Sequence, residues 1–384
     1  MKKYNLLLPI AGKAQRFLDA GYTMPKPLIL ANHKHVIDWS LESVDYSDCN
    51  LIFIVRLDHI YNFSIDKILK QKFGDDIQIV VLDKITRGAL ETCVLAEQYI
   101  DNDIPLLIYT PDVYFEPQFK PNTIPNDSDG FLLTFLANSA DHSYSQCDIN
   151  GKVSRVVEKE VISEHANVGL YYFKNGKEFL KYGKEVIDEN MLVKNEFYIA
   201  PMYNLMIRDD KYVTCADTEK MHVLGTPSTL EFFSERVTKK FGNKPIALAC
   251  DHSGYDLKEK TKTILEMKGI EYTDVGTYVD KSCDYYDYVS QAVALIKSND
   301  CDYAISFCRS GQGVNLAANK FDDILSALIF DSYTAEFSIK HNCANHFSIP
   351  SKYVDVKTME EIIDKLITTS FDGGRHFTRL KKFI

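Results

Sequence analysis

The chain lacks an excess of basic residues. Its 44 lysines and arginines are outnumbered by 54 aspartates and glutamates, which gives a formal net charge of −10 at pH 7. This balance argues against a broad electrostatic grip on nucleic acid or on an anionic membrane surface, so we expect neither among the partners. Any phosphate that the protein binds has to be held by a few local cations.

Long hydrophobic runs are also missing. No stretch approaches the roughly 20 apolar residues that a membrane-spanning helix requires. The apolar run near the start, 6–10, is short and is soon followed by Lys13 and Arg16. We interpret that run as a buried first strand rather than as a secretory signal. These absences predict a soluble, cytoplasmic protein.

Cysteines are present, but they lack the paired spacing that indicates a zinc site or a disulfide framework. There are nine of them, an odd number, scattered along the chain. This usage fits a reducing cytoplasm, and most of these thiols, such as Cys93 and Cys215, are expected to be small buried hydrophobic residues. Cys308 is the exception, for the reasons given below.

The chain is long enough for more than one core, since it has 384 residues of which 45% are hydrophobic. Short apolar runs alternate with amphipathic stretches, which predicts α/β architecture with a largely parallel sheet. The strands expected first are 5–10, 51–55, 77–82 and 106–109, with antiparallel pairing near 130–137 and 166–173. The segment 238–245 contains Lys, Gly, Asn and Pro, so we predict one domain over 1–240 and another over 244–384.

A loop of small residues follows the first predicted strand. It contains Ala11, Gly12 and Lys13 and leads to Arg16, and Lys26 follows between two prolines. Such a loop lets backbone N–H groups approach a triphosphate, while Arg16 and Lys26 can neutralise its charge. Taken alone, the segment is equally typical of a tight turn with solvated cations.

Together with later segments, this loop resembles the sugar-phosphate nucleotidyltransferases, whose pattern has a glycine-rich loop ending in Arg followed by Pro-Lys-Pro. Gly88 and Thr92 match the family's base-recognition segment, and Asp112 matches its metal-binding acid. Glu158 and Lys159 match the pair that meets the acceptor, and Asn167 and Gly169 match the strand after that pair. Gly225-Thr226-Pro227 matches a closing Gly-Thr-Pro. The resemblance implies a Rossmann-like mixed sheet for the first domain.

The reaction that this resemblance implies is attack by an acceptor phosphate oxygen on the α-phosphorus of a nucleoside triphosphate, with release of pyrophosphate. Such a step depends on positioning and charge neutralisation. The resemblance therefore implies Mg²⁺ as the cofactor, held by Asp112. Arg16 and Lys26 are expected on the phosphates, and Lys159 on the acceptor phosphate.

Two positions depart from the family pattern. Ala14 replaces the second glycine of the loop, and Val223 stands where many relatives place a second metal carboxylate. Asp217 or His222 could substitute, or Asp112 and the triphosphate could suffice. The variant pattern resembles members associated with capsules and surface glycans. It leaves the base and the acceptor open, with CTP favoured and a sugar or polyol phosphate expected as acceptor.

In the second half, a thiol stands at the mouth of a glycine-rich loop. The strand predicted at 303–307 leads into Cys308, Ser310, Gly311 and Gly313, and a helical stretch follows. Strand, loop and helix start together make an oxyanion or phosphate site. Taken singly, a cysteine after a strand is more often part of a core. Other elements expected here are strands at 246–250 and 325–329 and helices beginning near Tyr255, Tyr288, Gly313, Thr334 and Thr358.

These segments resemble the B-type ribose-5-phosphate isomerases and their galactose-6-phosphate isomerase relatives, from 244 to the end of the chain. The shared motifs are Cys-Asp-His-x-Gly at 250–254, Asp-Tyr at 284–285, Ala-Ala-Asn-Lys at 317–320, His-Asn at 341–342 and Gly-Gly-Arg-His with a second Arg at 373–379. The resemblance implies a Rossmann-like α/β/α domain with a parallel sheet and no cofactor. It also implies a dimer in which the subunits share each site.

The same resemblance assigns roles to single residues. Cys308 would remove the proton next to the sugar carbonyl, and loop N–H groups around Ser310, Gly311 and Gly313 would hold the enediolate oxygen. His341 would assist opening of the furanose ring. The other residues expected at the substrate are Asp251 at the sugar hydroxyls, His252, Arg375 and Arg379 at the 5-phosphate, and Tyr285 and Asn342.

Beside the thiol the sequence departs from this second pattern. Arg309 and Ser310 stand where the family usually has Gly and Thr, and Tyr286 replaces a proline. Arg309 could point away, could contact a longer or more acidic substrate, or could block the turn of the loop. The reaction type is therefore better defined by the sequence than the substrate.

Three functions remain open from the sequence. The first is a bifunctional enzyme that isomerises a pentose 5-phosphate and transfers a nucleotidyl group, supplying precursors of a surface polysaccharide. The second is a nucleotidyltransferase whose C-terminal domain only binds a sugar phosphate or forms the dimer. The third is an isomerase whose first domain is an inactive relic, which would release no pyrophosphate with any nucleotide. The first needs an explanation for one mismatch, because the isomerase yields a 5-phosphate whereas most relatives of the first domain use a 1-phosphate.

Overall fold

The computed structural model describes residues 2–382, which divide into two compact units. The first unit ends at Phe233 and the second begins at Ser234. This division lies a few residues before the boundary that we predict between 240 and 244. No helix in the described part of the chain has both the length and the hydrophobicity needed to cross a membrane.

The first unit contains thirteen strands and nine α-helices within the described residues. The strands are β1 (Tyr4–Pro9), β2 (Leu30–Ala31), β3 (Lys34–His35), β4 (Cys49–Arg56), β5 (Gln78–Leu82), β6 (Leu106–Tyr109), β7 (Val113–Glu116), β8 (Gly130–Leu136), β9 (Ser143–Cys147), β10 (Val153–Glu158), β11 (His165–Phe173), β12 (Val213–Asp217) and β13 (Lys220–Val223). The helices are α1 (Gln15–Asp19), α2 (Val36–Glu42), α3 (Leu57–Phe63), α4 (Ile65–Phe73), α5 (Ala89–Val94), α6 (Glu97–Ile100), α7 (Gly176–Asp188), α8 (Tyr203–Arg208) and α9 (Pro227–Phe232).

Nine of these strands form one mixed sheet. The order along its main path is β10, β9, β11, β6, β1, β4, β5, and β8 joins β12 to β11. Strands β6, β1, β4 and β5 run parallel, whereas β11 runs antiparallel to β6 and β8. Alternate residues of β1 enter different cores, with Leu6 and Leu8 on one face and Leu7 on the other. Burial on both faces is what a parallel sheet covered by helices requires, and it confirms the predicted mixed α/β fold.

The second unit is a five-stranded parallel sheet with helices on both faces. Its strands are β14 (Ile246–Cys250), β15 (Tyr272–Gly276), β16 (Tyr303–Cys308), β17 (Ser326–Leu328) and β18 (His346–Pro350). Their order in the sheet is β15, β14, β16, β18, β17. The helices are α10 (Tyr255–Met267), α11 (Tyr285–Lys297), α12 (Gln312–Ala318), α13 (Ser332–Lys340), α14 (Val356–Thr368) and α15 (Gly374–Leu380).

Side-chain size explains the layering of this sheet. Along β14, Ile246 and Leu248 enter the core that also contains Ile362 of α14, whereas the small Ala247 and Ala249 face the opposite core. The small residues let α11 pack closely against that second face. The predicted α/β/α layering of the C-terminal half is confirmed.

A buried histidine links three strands of the second sheet and makes its stability depend on pH. His346 lies 2.8 Å from the hydroxyls of Ser306 and Ser326. Burial lowers the pKa of His346 to about 3. The unfolded chain, with a histidine pKa of about 6.5, binds the proton first, so stability is lost as the pH falls below that value.

We expect the free energy of unfolding to fall by about 2 kcal/mol between pH 7 and pH 5 on account of His346. Hydrogen exchange of peptides covering β16 and β18, corrected for intrinsic rates, measures this change. The His346→Gln variant, which does not titrate there, is the control. An equal pH dependence in both proteins would contradict the assignment.

Candidate active sites

The loop after β1 is shaped by one residue in an unusual backbone conformation. Ala14 has a φ of 50°, in the left-handed region that favours glycine, at the position where the sequence departs from its family pattern. An L-residue in this region costs about 1 kcal/mol. Ala11, Gly12 and Lys13 precede it, and Arg16 is exposed on α1. The loop thus presents its backbone and two cations at the carboxyl end of β1.

Lys26 and Asp112 meet although 86 residues separate them in the sequence. The Lys26 Nζ lies 3.0 Å from Oδ2 of Asp112, and 41% of the aspartate side chain is exposed. Asp112 follows β6, the strand beside β1, so the sheet order brings this carboxylate to the phosphate-loop edge. Ligands of open α/β sheets bind outside such carboxyl ends.

The closing Gly-Thr-Pro segment supports the carboxylate. The Leu224 N–H donates to the backbone oxygen of Asp112 over 2.7 Å. A Cβ atom on Gly225 would lie 3.2 Å from Oδ2 of Asp112, so any larger residue would crowd it. Thr226 begins α9 with its hydroxyl accepting from the Thr229 N–H. Gly225 therefore leaves the space in front of Asp112 open.

The two residues that we considered as second metal ligands both have other partners. Asp217 ends β12, three strand spacings from β6, or roughly 14 Å at the usual spacing. Its carboxylate binds His165 Nδ1 at 3.0 Å and accepts from the Thr134 hydroxyl at 2.7 Å. His222 is buried and stacks on Tyr114, with ring centroids 6.1 Å apart. The structure does not bring Asp217 to Asp112. His222 lies on β13 opposite Tyr114, two residues from Asp112, and its ring stacks on that tyrosine.

The residues expected at the acceptor surround the ends of β10 and β11. Glu158 is buried, which raises the pKa of its carboxyl, and Lys159, 3.4 Å away, opposes this effect. Lys159 has a φ of 60°, and its Nζ donates to the backbone oxygen of Asp141. Asn167 accepts from the Ser145 hydroxyl at 2.7 Å. It also donates to the Ser143 hydroxyl at 3.0 Å, so its amide ties β11 to β9.

Two of the predicted glycines are needed where backbones approach closely. Gly169 has a φ of 99°, and a Cβ there would lie 2.3 Å from the hydroxyl oxygen of Thr110. Gly88 has a φ of 144°, and a Cβ there would lie 2.4 Å from the backbone oxygen of Phe197. The Thr92 hydroxyl donates to the Gly88 oxygen over 3.0 Å. The backbone of the segment predicted to recognise the base is thus held against the backbone of Phe197.

In the second unit, one group of predicted residues meets at the carboxyl edge of the sheet. Cys308 ends β16 and is buried, and Asp251 follows the neighbouring β14, with its N–H donating to Phe307 over 3.2 Å. Burial raises the pKa of the Asp251 carboxyl. The His252 Nδ1 accepts from the backbone N–H of Cys283 over 3.4 Å. In a neutral ring, this bond would place the proton on Nε2.

The glycine loop brings an aromatic ring to the same edge. A Cβ on Gly313 would lie 2.8 Å from the Tyr285 ring, and one on Gly311, where φ is 70°, would lie 2.5 Å from Leu328. Ser310 is exposed between the thiol and these glycines. Cys308, its loop and Tyr285 therefore form one pocket wall.

The other predicted residues gather around a pair of stacked histidines. The rings of His341 and His376 are 4.0 Å apart at 9° to each other. Burial, His341 and the cationic Arg375 and Arg379 lower the pKa of His376 to about 4. Burial lowers the pKa of His341 as well, and Lys340 adds to the effect. Both rings are therefore uncharged near pH 7, with three cations around them.

Asp372 approaches both histidines, with ligand atoms of the three residues within 4.8 Å of one another. The chemistry of the set resembles a metal site. The parallel rings, however, direct their nitrogen lone pairs side by side rather than to one point, and the neighbouring arginines repel a metal ion. Asn342 follows His341 in the turn before β18.

The Cys308 thiol lies at the carboxyl ends of the strands of this sheet, and the pair of histidines lies at their amino ends. Cys308 is paired with Pro350 at the carboxyl ends, whereas His346, paired with Ala304, starts β18 at the amino edge. His341 precedes β18 by a compact turn, and the Asp372 N–H donates to the Lys340 oxygen over 3.0 Å. The strand alone separates the two edges by about 13 Å. Within one chain, Cys308 and the pair of histidines therefore do not form a single site.

Three contacts in the structure were not predicted from the sequence. The Ser351 hydroxyl donates to the backbone oxygens of Ser253 and Cys308, which ties two loops of the thiol pocket together. His376 stacks on His341, and its position directly after Arg375 in a shared motif could have indicated it. His165 pairs with Asp217 across two strands, for which the sequence holds no local signal.

Comparison with known proteins identifies the first unit. The nucleotidyl transferase family model matches residues 7–219, more than half of the chain, and the chain belongs to this family. The crystal structure of a nucleoside-diphosphate-sugar pyrophosphorylase from Vibrio cholerae is 25% identical, with a TM-score of 0.53. The match covers 60% of this chain and 100% of the Vibrio chain.

The second unit belongs to another family. The ribose/galactose isomerase family model matches residues 246–383. Ribose-5-phosphate isomerase B of Escherichia coli is 33% identical over 138 residues, covering 36% of this chain and 93% of the relative. A Rickettsia typhi protein that carries the name of a sugar phosphate isomerase is 42% identical over 137 residues, covering 36% and 95%. The chain thus joins enzyme domains of the nucleotidyltransferase and sugar-phosphate isomerase types.

Proposed function

We propose that the protein is a bifunctional enzyme with domains over 1–240 and 244–384. The first transfers a nucleotidyl group to a sugar or polyol phosphate, and the second interconverts an aldose and a ketose 5-phosphate. Nucleotide and sugar-phosphate substrates fit the two families to which the domains belong. The proposal places the enzyme in the cytoplasm, where it supplies precursors of a surface polysaccharide.

The proposal for the first domain rests on the meeting of Lys26 with Asp112 beside the phosphate loop. Asp112 fits Mg²⁺, because this ion is often held by one carboxylate and substrate phosphates, and Gly225 keeps the space open. The ion, when bound, neutralises charge on the triphosphate. Lys26 and Arg16 then orient the phosphates, and Lys159 and Glu158 orient the acceptor phosphate for in-line attack.

The proposed nucleotide is CTP, and the proposed acceptor carries a terminal phosphate. Such an acceptor resolves the mismatch between a 5-phosphate product and a transferase that otherwise needs a 1-phosphate. Incubation of the protein and Mg²⁺ with each nucleoside triphosphate and several pentose or pentitol 5-phosphates, followed by phosphorus NMR, tests this choice. Pyrophosphate formation with CTP alone supports it, and formation with another nucleotide alone contradicts it.

The proposed isomerisation moves one proton between neighbouring carbons and one between the oxygens that they carry. The Cys308 thiolate takes the proton from the carbon next to the carbonyl, and the C–H electron pair forms the enediolate. The hydroxyl proton then passes to the former carbonyl oxygen, and the thiol returns its proton to the other carbon. N–H groups near Gly311 and Gly313 stabilise the oxyanion. The neutral His341 exchanges the hydroxyl proton that opens the furanose ring.

This second reaction needs two copies of the chain. Cys308 and His341 lie at opposite edges of one sheet, and this separation is the observation that favours a homodimer with shared sites. The second unit also exposes several large hydrophobic side chains that a partner could cover. They are Tyr278, Val279, Tyr286, Leu316, Phe330, Tyr333 and Tyr353.

Subunit complementation tests the shared site. Cys308→Ala and His341→Ala variants, each inactive alone, are co-expressed with different tags. In a mixed dimer one site carries both changes and the other carries neither, so about a quarter of the parent isomerase activity should return in an equal mixture. Isolated doubly tagged dimers should show about half. Absence of recovery in doubly tagged dimers would exclude shared sites.

A further inference from the structure

The backbone fixes Arg309 at the entrance of the thiol pocket. Its oxygen accepts from the Lys352 N–H over 3.1 Å, and the Cys308 oxygen accepts from the Ser351 N–H over 3.0 Å. Adjacent Cα atoms are 3.8 Å apart, so Arg309 begins one residue from the thiol. The position of this arginine relative to Cys308 is therefore set by two strands rather than by a free loop.

The side chains of Arg309 and Lys352 are exposed and form no ion pair or side-chain hydrogen bond within residues 2–382. Asp251, the acid of the neighbouring loop, is buried, and its Oδ1 accepts from the Gly254 N–H over 3.0 Å. The entrance thus carries two cations that no carboxylate of the pocket neutralises. Surface cations without partners are common, so a function for Arg309 and Lys352 is indicated only by their position beside Cys308.

The expected substrate phosphate already has its own cations. Under the proposed function, His252, Arg375 and Arg379 bind the 5-phosphate, at the far end of the substrate from the carbons that face Cys308. Arg309 therefore stands at the reacting end. A guanidinium there presents a planar fork that matches a carboxylate or phosphate.

We propose that Arg309, assisted by Lys352, binds a second anionic group of the substrate. The substrate class is a sugar 5-phosphate that carries a carboxylate or another phosphate on the carbon beside the two between which the proton moves, since a group on either of those two would block one carbonyl form. This inference rests on the proposed isomerase function. It explains the replacement of the usual glycine by Arg309 as a change in substrate specificity.

Calorimetric titration with three ligands tests the inference without turnover. Arabinitol 5-phosphate has a neutral end, arabinonate 5-phosphate has a carboxylate there, and arabinitol 1,5-bisphosphate has a phosphate. We expect the parent protein to bind one or both doubly anionic ligands at least about tenfold more tightly than arabinitol 5-phosphate, as a charged hydrogen bond provides. The tighter of the two identifies the anion.

The Arg309→Gly variant should lose most of this preference while keeping its affinity for arabinitol 5-phosphate. Lys352→Ala should lose part of it, and Lys260→Ala, which removes an exposed cation of α10, should change nothing. Arg309→Gln repeats the test if the glycine variant is unstable. A preference that is absent from the parent, or unchanged in the Arg309 variants, overturns the inference. Failure of all three ligands to bind refutes the proposed isomerase site instead.

Discussion

Replacement of Cys308 by alanine is expected to lower aldose–ketose exchange by about 10²- to 10⁴-fold, the usual contribution of a positioned base. The thiol ends β16, where Asp251 and the glycine loop meet, and no other group in this pocket is proposed to accept the proton. Exchange of the substrate C–H with solvent deuterium, followed by proton NMR, measures the step directly. Pyrophosphate release by the first domain should be unchanged.

The matched control is Cys301→Ala. Cys301 is also buried in the second unit, but it precedes β16 at the opposite edge of the sheet. Its loss should leave exchange within about twofold, because removal of one buried sulfur atom away from the site mainly affects stability. If the parent protein shows no exchange with any sugar 5-phosphate, the second domain is a binding or dimerisation module. Full exchange in Cys308→Ala would remove the thiol from the mechanism.

Replacement of Asp112 by asparagine is expected to reduce nucleotidyl transfer by about 10²-fold or more, because electrostatic stabilisation is the main aid to such a reaction. The asparagine keeps the shape but removes the charge that faces Lys26 at 3.0 Å. Initial rates of pyrophosphate release at increasing Mg²⁺ concentration measure the effect. The apparent affinity for Mg²⁺ should fall in parallel.

Asp103→Asn provides the comparison for this charge change. Asp103 also pairs with a lysine, Lys177, at 3.0 Å, but its side chain is 84% exposed. Removing such a surface pair costs at most about 1 kcal/mol of stability and should not alter the rate. Equal rates for Asp112→Asn and Asp103→Asn would refute the metal role of Asp112. Isomerisation should be unaffected in both variants.

The strands that the sequence predicted best are those buried on both faces. The predicted runs 51–55 and 106–109 coincide with β4 and β6 to within a few residues. The run 77–82 also coincides with a strand, β5, but this strand lies at the edge of the sheet and exposes Val81. Near-continuous apolar runs are typical of parallel strands between two helix layers, and their ends are therefore easy to place. The predicted strand 246–250 coincides with β14 for the same reason.

Two strands of the second sheet were missed. β15 has the sequence YTDVG and β18 has the sequence HFSIP, so each mixes polar residues and a Gly or Pro with few apolar ones. β18 is nevertheless fully buried, because Ser306 and Ser326 satisfy the polar atoms of His346. Such partners are distant in sequence, and local pattern cannot reveal them.

The sequence predicted which residues belong to the candidate sites, but not which of them contact one another. The sequence singled out Lys26 and Asp112 without showing that they touch, because their meeting depends on the order of β1 and β6. It suggested Asp217 or His222 for the metal, whereas the fold places Asp217 three strand spacings from β6, with His165 as its partner, and surrounds His222 with aromatic rings. Strand order, which decides such contacts, is a property of the whole chain.

The placement of Cys308 and His341 at opposite edges of one sheet has a consequence for dilute solutions. If each isomerase site is shared between two subunits, as proposed, a single chain holds only incomplete isomerase sites, whereas Lys26 and Asp112 still meet within that chain. Dilution below the dissociation constant of the dimer is then expected to abolish isomerisation while nucleotidyl transfer continues. The ratio of isomerase to nucleotidyltransferase specific activity would then measure the fraction of the protein that is dimeric.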